Sequence, residues 1–233
     1  MGGLSVAVLV VYAAVLARQR QVDFQVYRMG GQHVLGSGLY SSHIMVFGRG
    51  LPFTYTPLAA LFFWPFSHLS IVASQFIWDL TNVAALTALL AVSVAAARNR
   101  PLVRSDWRTA LVLVAPVGIL LWPVRYDFEL GQINIMLVLM IVTDLTVGIS
   151  WRNRRLPRGV LVGVAAAIKL TPLVFIPFLL VTRQWRAAKN ATLAFLIATL
   201  GMVALAPSAS WIYFTKYAFD VRRVGNTFNT TNQ

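Results

Sequence analysis

The stretch that decides the fold is Arg18 to Pro57, RQRQVDFQVYRMGGQHVLGSGLYSSHIMVFGRGLPFTYTP. It separates an apolar run, Leu4–Ala17, from a long series of hydrophobic segments, and it is too polar to sit in lipid. It also holds Asp23, the first acid in the chain, the next being Asp79. A polar loop between apolar spans is the natural place for chemistry in a membrane protein, because irregular backbone is tolerated only where it meets water or lines a cavity. The chain therefore reads as an integral membrane enzyme with Asp23 as the candidate general base.

Composition supports the membrane reading. Of 233 residues, 58% are hydrophobic and only 12% are charged, about half the charged share of a soluble domain. Mean hydropathy is +0.70. The net charge of +13 raises the question of nucleic acid. The basic residues fall in short clusters between apolar runs, with no basic stripe along a polar helix, so they read as topology signals and no nucleic-acid partner is expected. Cysteine is absent, which excludes disulfides and thiolate metal sites. His33, His43 and His68 lack metal-ligand spacing, so no metal and no cofactor are expected.

Outward from the loop, Asp23–Leu35 predicts a short interfacial helix, with Gly30-Gly31 and Gly36-Ser37-Gly38 as flexible breaks. Leu51–Ser67 is aromatic and carries three prolines. It reads as a half-inserted segment or a proline-kinked span. Ile71–Ala97 predicts a full membrane helix interrupted by Asp79 and Asn82. Thr109–Pro123 is a short span, Val124–Gln132 a polar connection, and Ile133–Ser150 a further span containing Asp144. Gly159–Thr182 is apolar around a central Lys169-Leu170-Thr171-Pro172. Asn190–Pro207 is the last span. The chain ends in a polar stretch and reads as one transmembrane domain, 1–233, forming the N-terminal part of a longer protein. The 18–57 loop is its catalytic element.

Arginine-rich segments at 98–108, 151–158 and 183–189 point to the cytoplasm by the positive-inside rule. Gly159–Thr182 must then start and end on that side, as two half-helices meeting near Lys169. By the same count the loop around Asp23 falls on the outer face if Leu51–Ser67 does not fully cross.

Each candidate residue has a plain alternative. Asp23 could be a solvated charge; its place beside an aromatic interface would instead desolvate it toward general-base behaviour. Lys169 could snorkel to an interface. A lysine inside an apolar run costs roughly 3 kcal/mol at mid-membrane, which favours a cavity, a partner or an anion such as phosphate. Arg125 could pair with Asp127 or Glu129 or bind a ligand. Gln132 and Asn134 suit sugar hydroxyls or helix capping.

Four stretches resemble one family. DFQVYRMGGQHVLGSGLY (23–40) followed by LPFTYTPLAALFFWPFSHL (51–69) is similar to the first extracytoplasmic loop of actinobacterial polyprenyl-phosphate-mannose-dependent mannosyltransferases. These are membrane glycosyltransferases of family 87 with a GT-C fold. VRYDFELGQINIMLVLMIVTDL (124–145) and GVLVGVAAAIKLTPLVFIPFLLVTRQWRAA (159–188) resemble two further regular stretches, and the closing NTTNQ resembles the start of an Asn-Gln-Ser motif.

The resemblance implies an all-α, polytopic, GT-C-like transmembrane bundle with short interfacial helices in the first outer loop. It implies an inverting, α-1,2-type transfer of mannose from a polyprenyl-phosphate donor to a glycolipid acceptor such as a phosphatidylinositol mannoside or lipomannan. The setting is the outer face of a multi-pass plasma-membrane protein among membrane lipids. Asp23 would be the base. Lys169 and Arg125 would face the leaving phosphate, and Tyr27, Arg28, Gln132 and Asn134 would contact sugar or phosphate. An arabinofuranosyltransferase of the same family is a rival. A flippase or transporter of lipid-linked sugars is a reading from another class.

Overall fold

The computed structural model describes residues 2–36, 38–46, 49–146, 150–151 and 154–218. It is mainly helical: α1 (Gly2–Leu16), α2 (Val22–His33), α3 (Pro57–Phe63), α4 (Ile71–Ala97), α5 (Arg104–Leu120), α6 (Trp122–Leu130), α7 (Asn134–Leu145), α8 (Val160–Ile168), α9 (Phe175–Val181), α10 (Trp185–Leu205) and α11 (Pro207–Ile212). Two small antiparallel hairpins interrupt the helices. The first pairs β1 (His43–Val46) with β2 (Arg49–Pro52), and the second pairs β3 (Ser150–Trp151) with β4 (Arg154–Arg155).

Among the described residues, α4 and α10 are each long and apolar enough to cross a membrane, and α5 with α6 makes a third such unit across a 78° bend. The expected boundaries of Ile71–Ala97 and of the interfacial helix hold closely. Others move. Arg104 and Arg108 lie inside α5, because Asp106 in its first turn is clamped by Arg98 and Arg100 and bonds back to Val103 N at 3.0 Å. The expected polar connection 124–132 is helical as far as Leu130, entered through Pro123. Proline at a first helical turn gives up no hydrogen bond. Leu51–Ser67 is not one kinked span. It is the end of β2, then the seven residues of α3, then a tight turn at Pro65–His68. The expected spans 133–150 and 159–182 also shorten, to α7 and to α8 plus α9. The closing 229–233 stretch lies outside the described residues.

Gly30 and Gly31 are not flexible breaks. They sit inside α2, where a Cβ on Gly31 would stand 2.7 Å from the Phe63 carbonyl, so their lack of a side chain lets α2 pack onto α3. Around this contact Phe24, Phe63, Phe66 and Trp78 form a ring cluster with centroids 4.8 to 6.1 Å apart. Such pairs add about 0.5–1.5 kcal/mol each beyond burial.

The apolar stretch 159–182 does break in the middle. A Cβ on Gly159 would meet Ala187 O, and one on Gly163 would meet Ala191 O. Residue numbers rise together along this contact, so α8 and the first half of α10 run parallel. The small residues Gly159, Gly163, Ala187 and Ala191, each spaced four apart, allow that approach. Because α8 and α10 start at the same end, residues 169–184 must bring the chain back. Lys169 therefore marks the tip of a helical hairpin. Asp144 is absorbed by this arrangement: its carboxylate accepts from Gly159 N and Val162 N at 2.9 to 3.0 Å, capping α8.

Candidate active site

Asp23 lies in the first turn of α2, where an acid is favoured by the helix dipole. The link from α1 into α2 is tied to α4. The Gln21 amide donates to both oxygens of Asp79, at 2.9 and 2.8 Å, and the Gln75 amide donates to Gln19 O at 3.1 Å. Gln21 and Asp79 are wholly buried. Phe24, the next residue, is locked in the ring cluster. Asp23 is thus held from both sides while remaining only partly buried.

The residues opposite Asp23 come from the α6–α7 turn. Gly131 closes α6 with φ +69°, a left-handed conformation that glycine adopts without strain. Its carbonyl accepts from Trp78 Nε1 at 2.9 Å, and Gln132 N bonds to Asp127 O at 2.8 Å. This fixes the direction of Gln132 and Asn134.

A directed hydrogen-bond chain follows. Lys169 Nζ donates to Asn134 Oδ1 at 2.9 Å. The Asn134 amide donates to Asp127 Oδ1 at 2.8 Å and also, at short range, to Gln132 Oε1. Gln132 Nε2 donates to Asp23 Oδ2 at 2.6 Å. A lysine is thereby wired to a carboxylate through two amides, and among the described residues the other oxygen of Asp23 bonds to no side chain. Asp127 also accepts from Ile135 N at 3.2 Å, so it caps α7 while anchoring Asn134.

Lys169 reaches this place because the hairpin tip is pinned. The Thr56 hydroxyl donates to the carbonyls of Ala167 and Ile168 at 2.6 and 2.9 Å, at the end of α8. The same oxygen caps α3 by accepting from Ala59 N. Lys169 Nζ stands 5.6 Å from the centre of the Tyr55 ring, a cation–π distance. The Tyr27 hydroxyl donates to the Tyr55 hydroxyl at 3.1 Å, and the Tyr27 ring stacks on Phe63.

Electrostatically, burial raises the Asp23 pKa above the ordinary 3.8, against the opposing effects of the Gln132 hydrogen bond and the Lys169 charge. A carboxylate moved this way is a stronger base than an exposed one. Burial likewise pushes Tyr55 up to about 12 and Tyr27 well above its usual value, so both phenols keep their protons.

The structure thus brings Asp23, Gln132, Asn134 and Lys169 together, with Tyr27 buried behind them. Two other candidate residues are engaged elsewhere, Arg125 in the ion-pair alternative that the sequence also offered. Arg125 pairs with Glu129 at 3.2 Å and lies over the Trp122 ring at 4.7 Å. Arg28 donates to Leu69 O at 2.8 Å and Ser67 O at 3.3 Å. Sequence reasoning missed Gln21, Tyr55 and Thr56, and had Asp127 only as an ion-pair candidate. The Thr56-Pro57 pair is a readable helix start; the Gln21–Asp79 contact spans 58 residues and leaves no local signal. Among the described residues, no group of three or more His, Asp or Glu side chains is placed to hold a metal ion.

Comparison with known proteins adds to this geometry. The profile of Glycosyltransferase family 87 matches residues 53–233. The chain is 34% identical over 225 residues to a polyprenol-phosphate-mannose-dependent alpha-(1-2)-phosphatidylinositol mannoside mannosyltransferase of Mycobacterium tuberculosis, covering 91% of this chain and 52% of that protein. It is 36% identical over 226 residues to the protein of the same name from Mycolicibacterium smegmatis, covering 91% of this chain and 50% of that protein. A polyprenol-phosphate-mannose-dependent alpha-(1-2)-phosphatidylinositol pentamannoside mannosyltransferase of Mycolicibacterium smegmatis is 34% identical over 216 residues, covering 91% of this chain and 50% of that protein. The chain spans about half the length of these curated relatives. No solved structure matches it.

Proposed function

The chain belongs to glycosyltransferase family 87, and on that footing we propose that the full-length protein moves mannose from a polyprenyl-phosphate donor to a phosphatidylinositol mannoside or a related mannosylated lipid. The relatives are named for that donor and acceptor. The observation that carries the mechanism is the Lys169–Asn134–Gln132–Asp23 chain.

In this reading the free oxygen of Asp23 accepts the proton of an acceptor hydroxyl as that hydroxyl attacks the anomeric carbon. The new C–O bond forms on one face of the sugar while the bond to the phosphate oxygen breaks on the other, inverting the centre. The phosphate leaves with the bonding electrons as an added negative charge. Lys169 directs one proton to Asn134 and has two more for that charge. Stabilising charge that develops at departure is the kind of interaction that accelerates a step. The two amides hold base and cation at a fixed separation, so neither must reorganise during transfer.

An outer-face location in a multi-pass plasma-membrane protein belongs to the same proposal. Asp23 lies near the Gln75 end of α4, whereas Arg98 and Arg100 lie at its other end, roughly 30 Å along the helix. Arg158 and Arg183 lie at the end of the hairpin remote from Lys169. That separation of arginines from the base supports a cytoplasmic side opposite the site.

The test uses membranes from cells expressing full-length wild type or Asp23→Asn, supplied with radiolabelled polyprenyl-phosphate mannose and extracted glycolipid acceptors. Transfer by wild type and its loss in the variant at equal protein level is the expected result. Equal transfer by both removes Asp23 from the chemistry. No transfer by well-expressed wild type, with export of lipid-linked sugar instead, replaces the enzyme reading with a transporter.

A further inference from the structure

A cavity of about 690 Å³ opens between α2 and the β1–β2 hairpin, lined by Gln25, Arg28, Gln32, His33, Ser42 and His43 among others. None of the site residues joined to Asp23 takes part in it. Gln25, Gln32, Ser42 and His43 make no side-chain hydrogen bond among the described residues, and Arg28 Nε is buried without a partner. Arg28 itself is held in place by the Ser67 and Leu69 carbonyls, so its guanidinium is a fixed donor at the wall.

The chemistry of the lining selects a ligand class. Two carboxamides and a hydroxyl offer both donors and acceptors, which matches the vicinal hydroxyls of a polyol. The Arg28 guanidinium and the His43 imidazole, with no acid among the lining residues, suit a single negative charge beside it, while the His33 imidazole is held through Nδ1 by the Met29 carbonyl at 2.9 Å. The size falls within the usual range for a small-molecule site.

Geometry excludes the reacting end of either substrate. Asp23 and Gln32 are nine residues apart on one helix, about two and a half turns, so they lie on opposite faces of α2. A helix with its side chains is about 10 Å across. The anomeric carbon must come within about 3–3.5 Å of the hydroxyl that Asp23 deprotonates, and the donor phosphate is bonded directly to that carbon. Both therefore belong on the Lys169 side. A group recognised on the far side of α2 must be joined to the reacting hydroxyl through intervening sugar.

We infer that this cavity binds the anionic polyol end of the acceptor, its inositol phosphodiester, while a mannose further along the same head reaches Asp23. The inference rests on the proposed acceptor class and gives α2 two jobs, one on each face. It makes the cavity a specificity device: an acceptor without the inositol phosphate would still meet the base but lose its anchor.

The experiment measures equilibrium binding of a radiolabelled phosphatidylinositol mannoside to the full-length protein in nanodiscs of phosphatidylcholine. Wild type is compared with the Gln25→Leu/Gln32→Leu double variant, and polyprenyl-phosphate mannose binding is measured in parallel. Neither glutamine holds another element, so the fold should survive; an unchanged melting temperature checks this, and Ser42→Ala is a second, smaller probe. The expected result is acceptor binding about tenfold weaker in the double variant, the loss of roughly one hydrogen-bonded contact, with donor binding unchanged. Unchanged acceptor binding, an equal loss of donor binding, or no acceptor binding by wild type would each overturn the inference. Transfer is assayed separately on the wild type, so intact acceptor binding without turnover counts against the enzyme proposal alone.

Discussion

The protein contains two glutamine–aspartate pairs built from the same groups and wired for opposite ends. In Gln21–Asp79 one amide nitrogen engages both carboxylate oxygens, and both residues are wholly buried. In Gln132–Asp23 the amide engages one oxygen, leaves the other open, and is itself fed by Asn134 and Lys169. The first pair is closed and fastens the start of α2 to α4. The second is open at one end and cationic at the other. A buried acid alone does not mark a reactive group; an unspent oxygen and a charge behind its partner do.

The widest separation between the pairs should appear on neutralising each acid. Asp23→Asn should lower the transfer rate by about 10²–10⁴, the usual contribution of a general base, with little change in yield. Asp79→Asn should do the reverse, cutting folded yield and thermal stability by about 1–3 kcal/mol, the cost of spoiling a buried hydrogen-bonded group. Transfer per folded molecule should stay near wild type. Melting curves and radiolabel transfer on the same preparations measure both. Equal loss of turnover in the two variants would erase the distinction.

Replacing the cation comes next in size. Lys169→Met should reduce transfer by about 10²–10³, as for loss of one preorganised group facing developing charge. The drop should fall on kcat rather than on the KM of the acceptor. Lys169→Arg should restore only part, since a planar guanidinium cannot reproduce a point charge seated 2.9 Å from Asn134. A variant impaired only in acceptor KM would move Lys169 out of the leaving-group role.

Some of this architecture was legible in the sequence because its cause is local. Ile71–Ala97 is apolar over its whole length with a serine cap, and it became α4 with the same bounds. The Lys169-Leu170-Thr171-Pro172 interruption broke the helix as expected, since Pro172 has no N–H to offer the Ile168 carbonyl, which accepts from the Thr56 hydroxyl instead. The spacing of Gly159 and Gly163 was equally readable as a helix-packing face and was passed over. The two hairpins were not visible, because β1 and β2 are four residues each and alternate only weakly. In the site, residue type pointed to Asp23, Gln132, Asn134 and Lys169 one by one. The path between them was hidden, because it runs through a turn set by Gly131 and a carbonyl bonded to Trp78, 53 residues away. Arg125 is the local counterexample: its pairing with Glu129, one helical turn on, was one of the two readings that the sequence offered.

The smallest effect is the most diagnostic of the wiring. As a base, Asp23 works only when ionised, so transfer should fall as pH drops through its pKa. Burial places that limb above the 3.8 of an exposed aspartate. The Gln132 hydrogen bond acts in the other direction, favouring the charged form and lowering the pKa. Gln132→Leu should therefore move the acid limb of the kcat–pH profile to higher pH while costing about tenfold or less at its plateau. Gln132→Glu would place a second carboxylate there and move the limb further the same way. The matched change at the closed pair, Gln21→Leu, should weaken the fold and leave the limb where it is. A limb that moves with Gln21 and stays with Gln132 would mean that the two pairs have been assigned each other's roles.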